Sequence, residues 1–200
     1  MKPGKRFGLL AGALMVSLTW FAPSMGDISE YRNDGDRHID HLERLPVAKV
    51  LDSRGAVAGP LVSVVGGNAA TIDVDGVLIV VPINRMRDSA GRLSASQYQW
   101  RDNGQQFSTS DCSGPPVISP TEVLRPAAVV RRGADVTLYV AADAYVGPIE
   151  IRSYSDGQGQ CTTRSFSYQT IAWSADKSFA LTQRFPEPLS IKFERPAHRQ

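Results

Sequence analysis

Chemistry in a chain of this kind would start from its thiols, its histidines and its acidic clusters. There are two cysteines, Cys112 and Cys161, and three histidines, His38, His41 and His198. A nucleophilic cysteine needs a base, normally histidine, to become thiolate. Two of these histidines fall in a polar stretch near the start and the third lies at the end, so none is an obvious partner. Asp34, Asp36, His38, Asp40 and His41 gather oxygen and nitrogen ligands closely enough to suggest Ca²⁺ or Zn²⁺. The detailed patterns fail. A calcium loop of the EF-hand type wants a hydrophobic residue where Arg37 stands and a glutamate where His41 stands. Zinc would have only two histidines. We expect a solvated segment, with no metal and no cofactor.

Carboxylates could form a glycosidase-type pair, because such pairs meet only in space. Glu122, Asp135, Asp143 and Glu150 are candidates that the sequence does not sort. No Gly-x-Ser-x-Gly elbow and no His-Glu-x-x-His occurs. No glycine loop of the phosphate-cradling kind follows a strand and opens a helix. Tyr98 and Trp100 stand two apart, so a strand would place them on one face. A flat aromatic pair there could stack on sugar rings, but large aromatics more often point into the core.

Residues 1–26 read as a secretory signal peptide. Lys2, Lys5 and Arg6 precede an uncharged apolar run from Phe7 to Ala22, then small residues around Pro23, with Ser24 or Gly26 before the cut. The run is short for a bilayer span, although an uncleaved segment would anchor the chain. Without residues 1–26, three of the 22 basic residues are lost, leaving 19 against 20 acidic, a net charge of −1. The whole-chain pI of 8.6 therefore belongs largely to the leader. No basic stripe interleaved with aromatics suggests nucleic acid. In an oxidising compartment an even cysteine count reads as a disulfide, Cys112 to Cys161. Closing that loop contributes about 4 kcal/mol in the chain-entropy model.

The 200 residues, 42% hydrophobic and 21% charged, suit one globular domain. Residues 27–46 are polar, with Ile39, Leu42 and Leu45 spaced for one short helix. From Val47 the pattern changes to short β-rich runs broken by turn residues. Asp52-Ser53-Arg54-Gly55 divides one hairpin and Asp75-Gly76 another, the latter suited to a type I′ turn. Further strands are expected at 96–101, 105–110, 116–119, 127–131, 135–141, 148–154, 164–170, 178–181 and 189–193. Gly-Pro at 59–60, 114–115 and 147–148 reads as turns that lead into strands. The fold class is all-β, an antiparallel sandwich or barrel-like domain over 47–195.

The ordered pieces "VAKVLDSRGAVAGPLV", "FSTSDCSGPPVI", "VTLYVA" and "IRSYSDGQGQC" resemble a group of secreted, β-rich bacterial proteins of unknown function. Such domains stand alone or are appended to collagen-like or phage-tail-like stalks. The resemblance covers residues 47–193 and implies the same fold and address, with Cys112 and Cys161 as the matching cysteines. It implies no catalytic residue. The polar segment Arg85–Gln97 departs from the pattern and reads as an inserted loop.

The expected protein is secreted or periplasmic, a non-catalytic module that binds an envelope or extracellular glycan or protein. Nucleic acid is not expected, and membrane contact only if the leader stays attached. The alternatives are a hydrolase using carboxylates and a structural piece of an envelope or stalk assembly.

Overall fold

The computed structural model describes residues 46–120, 124–144 and 146–194. The leader, the 27–45 part of the polar segment, its aspartates and histidines, Glu122 and His198 lie outside them. The described chain is almost entirely antiparallel β. Its strands are β1 (Val47–Leu51), β2 (Val57–Val64), β3 (Gly67–Val74), β4 (Val77–Arg87), β5 (Leu93–Trp100), β6 (Gln106–Phe107), β7 (Ala127–Arg132), β8 (Asp135–Ala141), β9 (Gly147–Ser155), β10 (Cys161–Ala172), β11 (Ala175–Ala180) and β12 (Ser190–Glu194). A single helical turn, α1 (Leu181–Arg184), precedes β12.

Six strands form one sheet in the order β12-β1-β2-β3-β4-β5. It curls until its two edges meet. Tyr98 of β5 and Leu189, just before β12, exchange backbone hydrogen bonds of 2.8 and 2.7 Å. A nearly closed barrel removes sheet edges that would otherwise present unpaired N–H and C=O groups. The Asp75-Gly76 turn is as expected, both residues having positive φ of 54° and 81° as a type I′ turn requires.

Two three-stranded sheets complete the domain, β11-β8-β7 and β10-β9-β6. The β8 strand is buried on both faces. Its Val136, Leu138 and Val140 join the main core with Val50, Ile72, Ile79, Val81 and Trp100. Tyr139, from the opposite face, packs with Phe107, Cys112 and Ile118. Strand alternation thus lets one hairpin, β7–β8, serve two cores at once.

Of the strand expected at 105–110 only Gln106–Phe107 forms, and 116–119 makes isolated bridges through Val117 and Ile118 and no strand. Two further expectations need correction. Arg85–Gln97 is not an inserted loop: most of it is strand, the distal part of the β4–β5 hairpin turning at Asp88–Arg92. Its polarity follows from exposure on a ribbon that runs past the core. Gly59-Pro60 does not lead into a strand but lies within β2. Glycine is needed there because a Cβ would sit 1.9 Å from the carbonyl oxygen of Thr71 on the neighbouring strand.

Candidate functional site

The aromatic pair Tyr98 and Trp100 does share a face, and that face is the core. Trp100 is 0% and Tyr98 8% exposed. Neither offers a ring to a sugar, because the curled sheet closes over both. Trp100 sits at a polar junction. Its Nε1–H donates to the Phe185 carbonyl at 3.1 Å and its backbone N–H to Glu187 Oε1 at 2.6 Å. Arg131 completes the junction by donating to Glu187 at 2.7 and 3.2 Å and to the Trp100 carbonyl at 2.8 Å. Beside it, the Asp102 carboxylate accepts from the backbone N–H groups of Gly104 and Arg131 at 2.7 and 2.9 Å. Burial pushes the Asp102 carboxyl up from its ordinary value despite those bonds. These groups lock the segment before β12 onto β5 and β7.

Cys112 and Cys161 are joined, with Cα atoms 5.8 Å apart. Both thiols are therefore committed to the bridge. The residues around Cys112 build the loop that presents it. Ser153 Oγ–H donates to the Thr109 carbonyl at 2.7 Å and accepts from the Cys112 N–H at 3.1 Å. Arg132 donates to the carbonyls of Cys112 and Gly114, each at 3.0 Å. On the partner side, Asp156 Oδ1 accepts from the N–H groups of Gln158 and Gln160, both at 2.9 Å. The motif "SDGQGQC" thus makes a turn that delivers Cys161 to β10.

Beyond the bridge, β10 breaks its register. Thr163 pairs with Ser153 and Tyr168 with Ile151, so β10 advances five residues while β9 advances two. Arg164 to Ser167 therefore lie opposite the single residue Arg152, a surplus of three, and bulge out of the sheet. Phe166 rides on it, 70% exposed. Thr163 Oγ1–H anchors the near side by donating to the Ser110 carbonyl at 2.6 Å. Arg164 packs on two rings, its guanidinium carbon 5.0 Å from the Tyr154 centroid and 4.8 Å from that of Tyr168. Its Nε is buried with no hydrogen-bond partner among the described residues. An open cleft of about 290 Å³ lies here, lined by Ser110, Glu150, Arg152, Arg164, Phe166 and Ser167 among others. Glu150 is held below the usual carboxylate range, by the Ser167 hydroxyl and then by Arg152 at 2.8 Å.

The sequence does not announce this cleft. Arg164-Ser165-Phe166-Ser167 reads as ordinary strand alternation, and only the serines flanking an aromatic hint that the ring is not buried. The other candidate carboxylates scatter. Asp135 opens β8 at a hairpin turn, and Asp143 faces Arg125 at 3.4 Å. Among the described residues no group of three His, Cys, Asp or Glu is placed to hold a metal ion.

Compared with protein-family models, with curated proteins and with solved structures, the chain matches none. The architecture and the disulfide therefore stand on the structure itself. A disulfide of this kind is typical of extracellular or periplasmic proteins.

Proposed function

We propose that the chain is an exported, non-catalytic interaction module of the secreted β-rich bacterial kind its motifs resemble, and that it binds through the β9–β10 face. The observation that carries this reading is the β10 bulge. It holds a large apolar ring, Phe166, in water beside a cleft that contains two guanidinium groups and several hydroxyls. Leaving a phenyl ring exposed forgoes the burial that a core position would provide, and a ring held beside a polar cleft can serve as the aromatic anchor of a binding surface. The bridge, the Ser153 bonds and the Thr163 bond stiffen the loops on which the bulge rests, which lowers the ordering cost of binding.

The test uses the full chain with its disulfide formed. It is passed over immobilised envelope and extracellular polysaccharides and proteins, beside Phe166→Ala. Binding that Phe166→Ala reduces at least tenfold, with an unchanged circular dichroism spectrum, supports the reading. Binding indifferent to Phe166 overturns the assignment of the face. Turnover of a bound polysaccharide overturns the non-catalytic reading.

A further inference from the structure

We infer that the β9–β10 cleft takes a carboxylate of an acidic saccharide, with Arg164 as the group that receives it. The inference rests on the reading of this face as the binding surface and adds the chemical class of the ligand. Most other described arginines have donors answered by the protein, though Arg125 Nε is also buried without a partner and the exposed Arg184 also sits over two rings, Phe179 and Phe185. On the β4–β5 hairpin, beside a larger cleft of about 570 Å³, Arg87 donates to the Gly91 carbonyl at 2.8 Å and Arg92 pairs with Asp88 at 2.7 Å. Arg85 there donates to the carbonyls of Ser94 and Ala95. Arg164 has no ion pair and no hydrogen bond to a described residue. Both tyrosine rings lie within 5.0 Å of its guanidinium carbon, and such contacts engage no N–H donor. With Nε buried, it is the edge formed by the two terminal nitrogens that suits two parallel hydrogen bonds to a planar carboxylate.

The charge around it narrows the ligand. Arg152 is offset by Glu150, so one guanidinium remains uncompensated and the nearby Glu150 charge opposes a dianion. A singly charged carboxylate fits better than a phosphate monoester. The rest of the cleft suits a sugar. Phe166 offers a ring face for a pyranose C–H surface, and Ser110 and Ser165 offer hydroxyls for its hydroxyl groups, while those of Thr163 and Ser167 already bond the Ser110 carbonyl and Glu150.

The probe is an oligogalacturonate, titrated into the full chain by calorimetry against its methyl ester, which keeps the ring and loses the charge. The expected result is binding of the acid at least tenfold tighter than the ester, weakened by salt. Arg164→Gln should erase that preference, Arg164→Lys should restore only part of it, and Phe166→Ala should weaken acid and ester alike. Equal affinity for acid and ester overturns the inference. So does absence of binding to either by a folded, disulfide-bonded chain, or tighter binding of a polyglutamate peptide than of the oligogalacturonate. A neutral polysaccharide whose binding needs Phe166 but not Arg164 would overturn the carboxylate while the assignment of the face survives.

Discussion

Arg131 and Arg164 make opposite uses of the same side chain. Arg131 is almost out of water and its donors are answered by Glu187 and the Trp100 carbonyl, the ion pair being 15% and 14% exposed. Arg164 rests instead against two aromatic rings, contacts that engage none of its N–H groups. The first is a bolt between a barrel strand, the β7 strand and the segment before β12. The second is a donor edge beside an open cleft. An arginine whose donors are answered within the fold has nothing left for a ligand, and the unmet donors of Arg164 are what its proposed role rests on.

Breaking the bolt should give the largest effect. Glu187→Ala leaves the Arg131 charge buried and the Trp100 backbone N–H unanswered, and should cost about 3–5 kcal/mol. Trp100→Ala should cost a similar amount, about 3–5 kcal/mol, by opening a cavity where the barrel edges meet. Urea denaturation followed by tryptophan-independent far-ultraviolet dichroism measures both. A loss under 1 kcal/mol for Glu187→Ala would show the junction to be wet and the contrast with Arg164 to be false.

The disulfide should come next. Replacing Cys112 and Cys161 together by serine should cost about 2–4 kcal/mol. The change should also be local. Hydrogen exchange should rise in β9 and β10 and in the Ser110–Gly114 loop while β1–β5 stay protected. Uniform loss of protection would mean that the small sheet and the barrel unfold as one unit, and that the β10 face has no stiffness of its own to lose.

The barrel half of the molecule was readable because its signals are local. Asp75-Gly76 specifies a turn by itself, and the alternation of Ile72, Val74, Ile79 and Val81 points each ring or branch inward. The pairing of Cys112 with Cys161 follows from there being no other partner. The cleft was not readable, because it depends on register. A three-residue surplus on β10 arises from where β9 pairs, and nothing within Arg164–Ser167 states where that is. Tyr154 and Tyr168 come within reach of one guanidinium only after two strands have met. Gly59 misled for a related reason: its need is set by Thr71 on the next strand, and the following proline imitates a turn.

Two buried carboxylates sharpen the contrast through pH. Burial alone would raise the Asp52 pKa, but hydrogen bonds from the Arg54 side chain and from the N–H groups of Ala56 and Arg54 outweigh it, and the net shift is down. Its stabilisation is therefore present above its unfolded value near 3.8 and is lost as pH falls through the lower folded value. Asp102 is shifted up, so its contribution is present below 3.8 and is lost as pH rises through the folded value. Asp52→Asn should flatten the acid limb of a stability–pH curve. Asp102→Asn should remove a decline on the neutral side of pH 4. The slopes are the readout, since either change also disturbs hydrogen bonds and lowers the whole curve. An unaltered acid limb in Asp52→Asn would sink the first claim.

The smallest expected effect decides the most about Arg164. Arg164→Gln removes two cation–π contacts at a partly exposed position, together worth about 1 kcal/mol or less. No buried charge is stranded by the change, because no carboxylate depends on Arg164 in the way Glu187 depends on Arg131. The variant should unfold within about 1 kcal/mol of the parent in the same urea titration. A loss of 3 kcal/mol or more would make Arg164 a second bolt whose donors serve the fold, and the reason for assigning them a ligand would disappear. A near-neutral result leaves a guanidinium of little use to stability, which is what assigning its donors to a ligand requires.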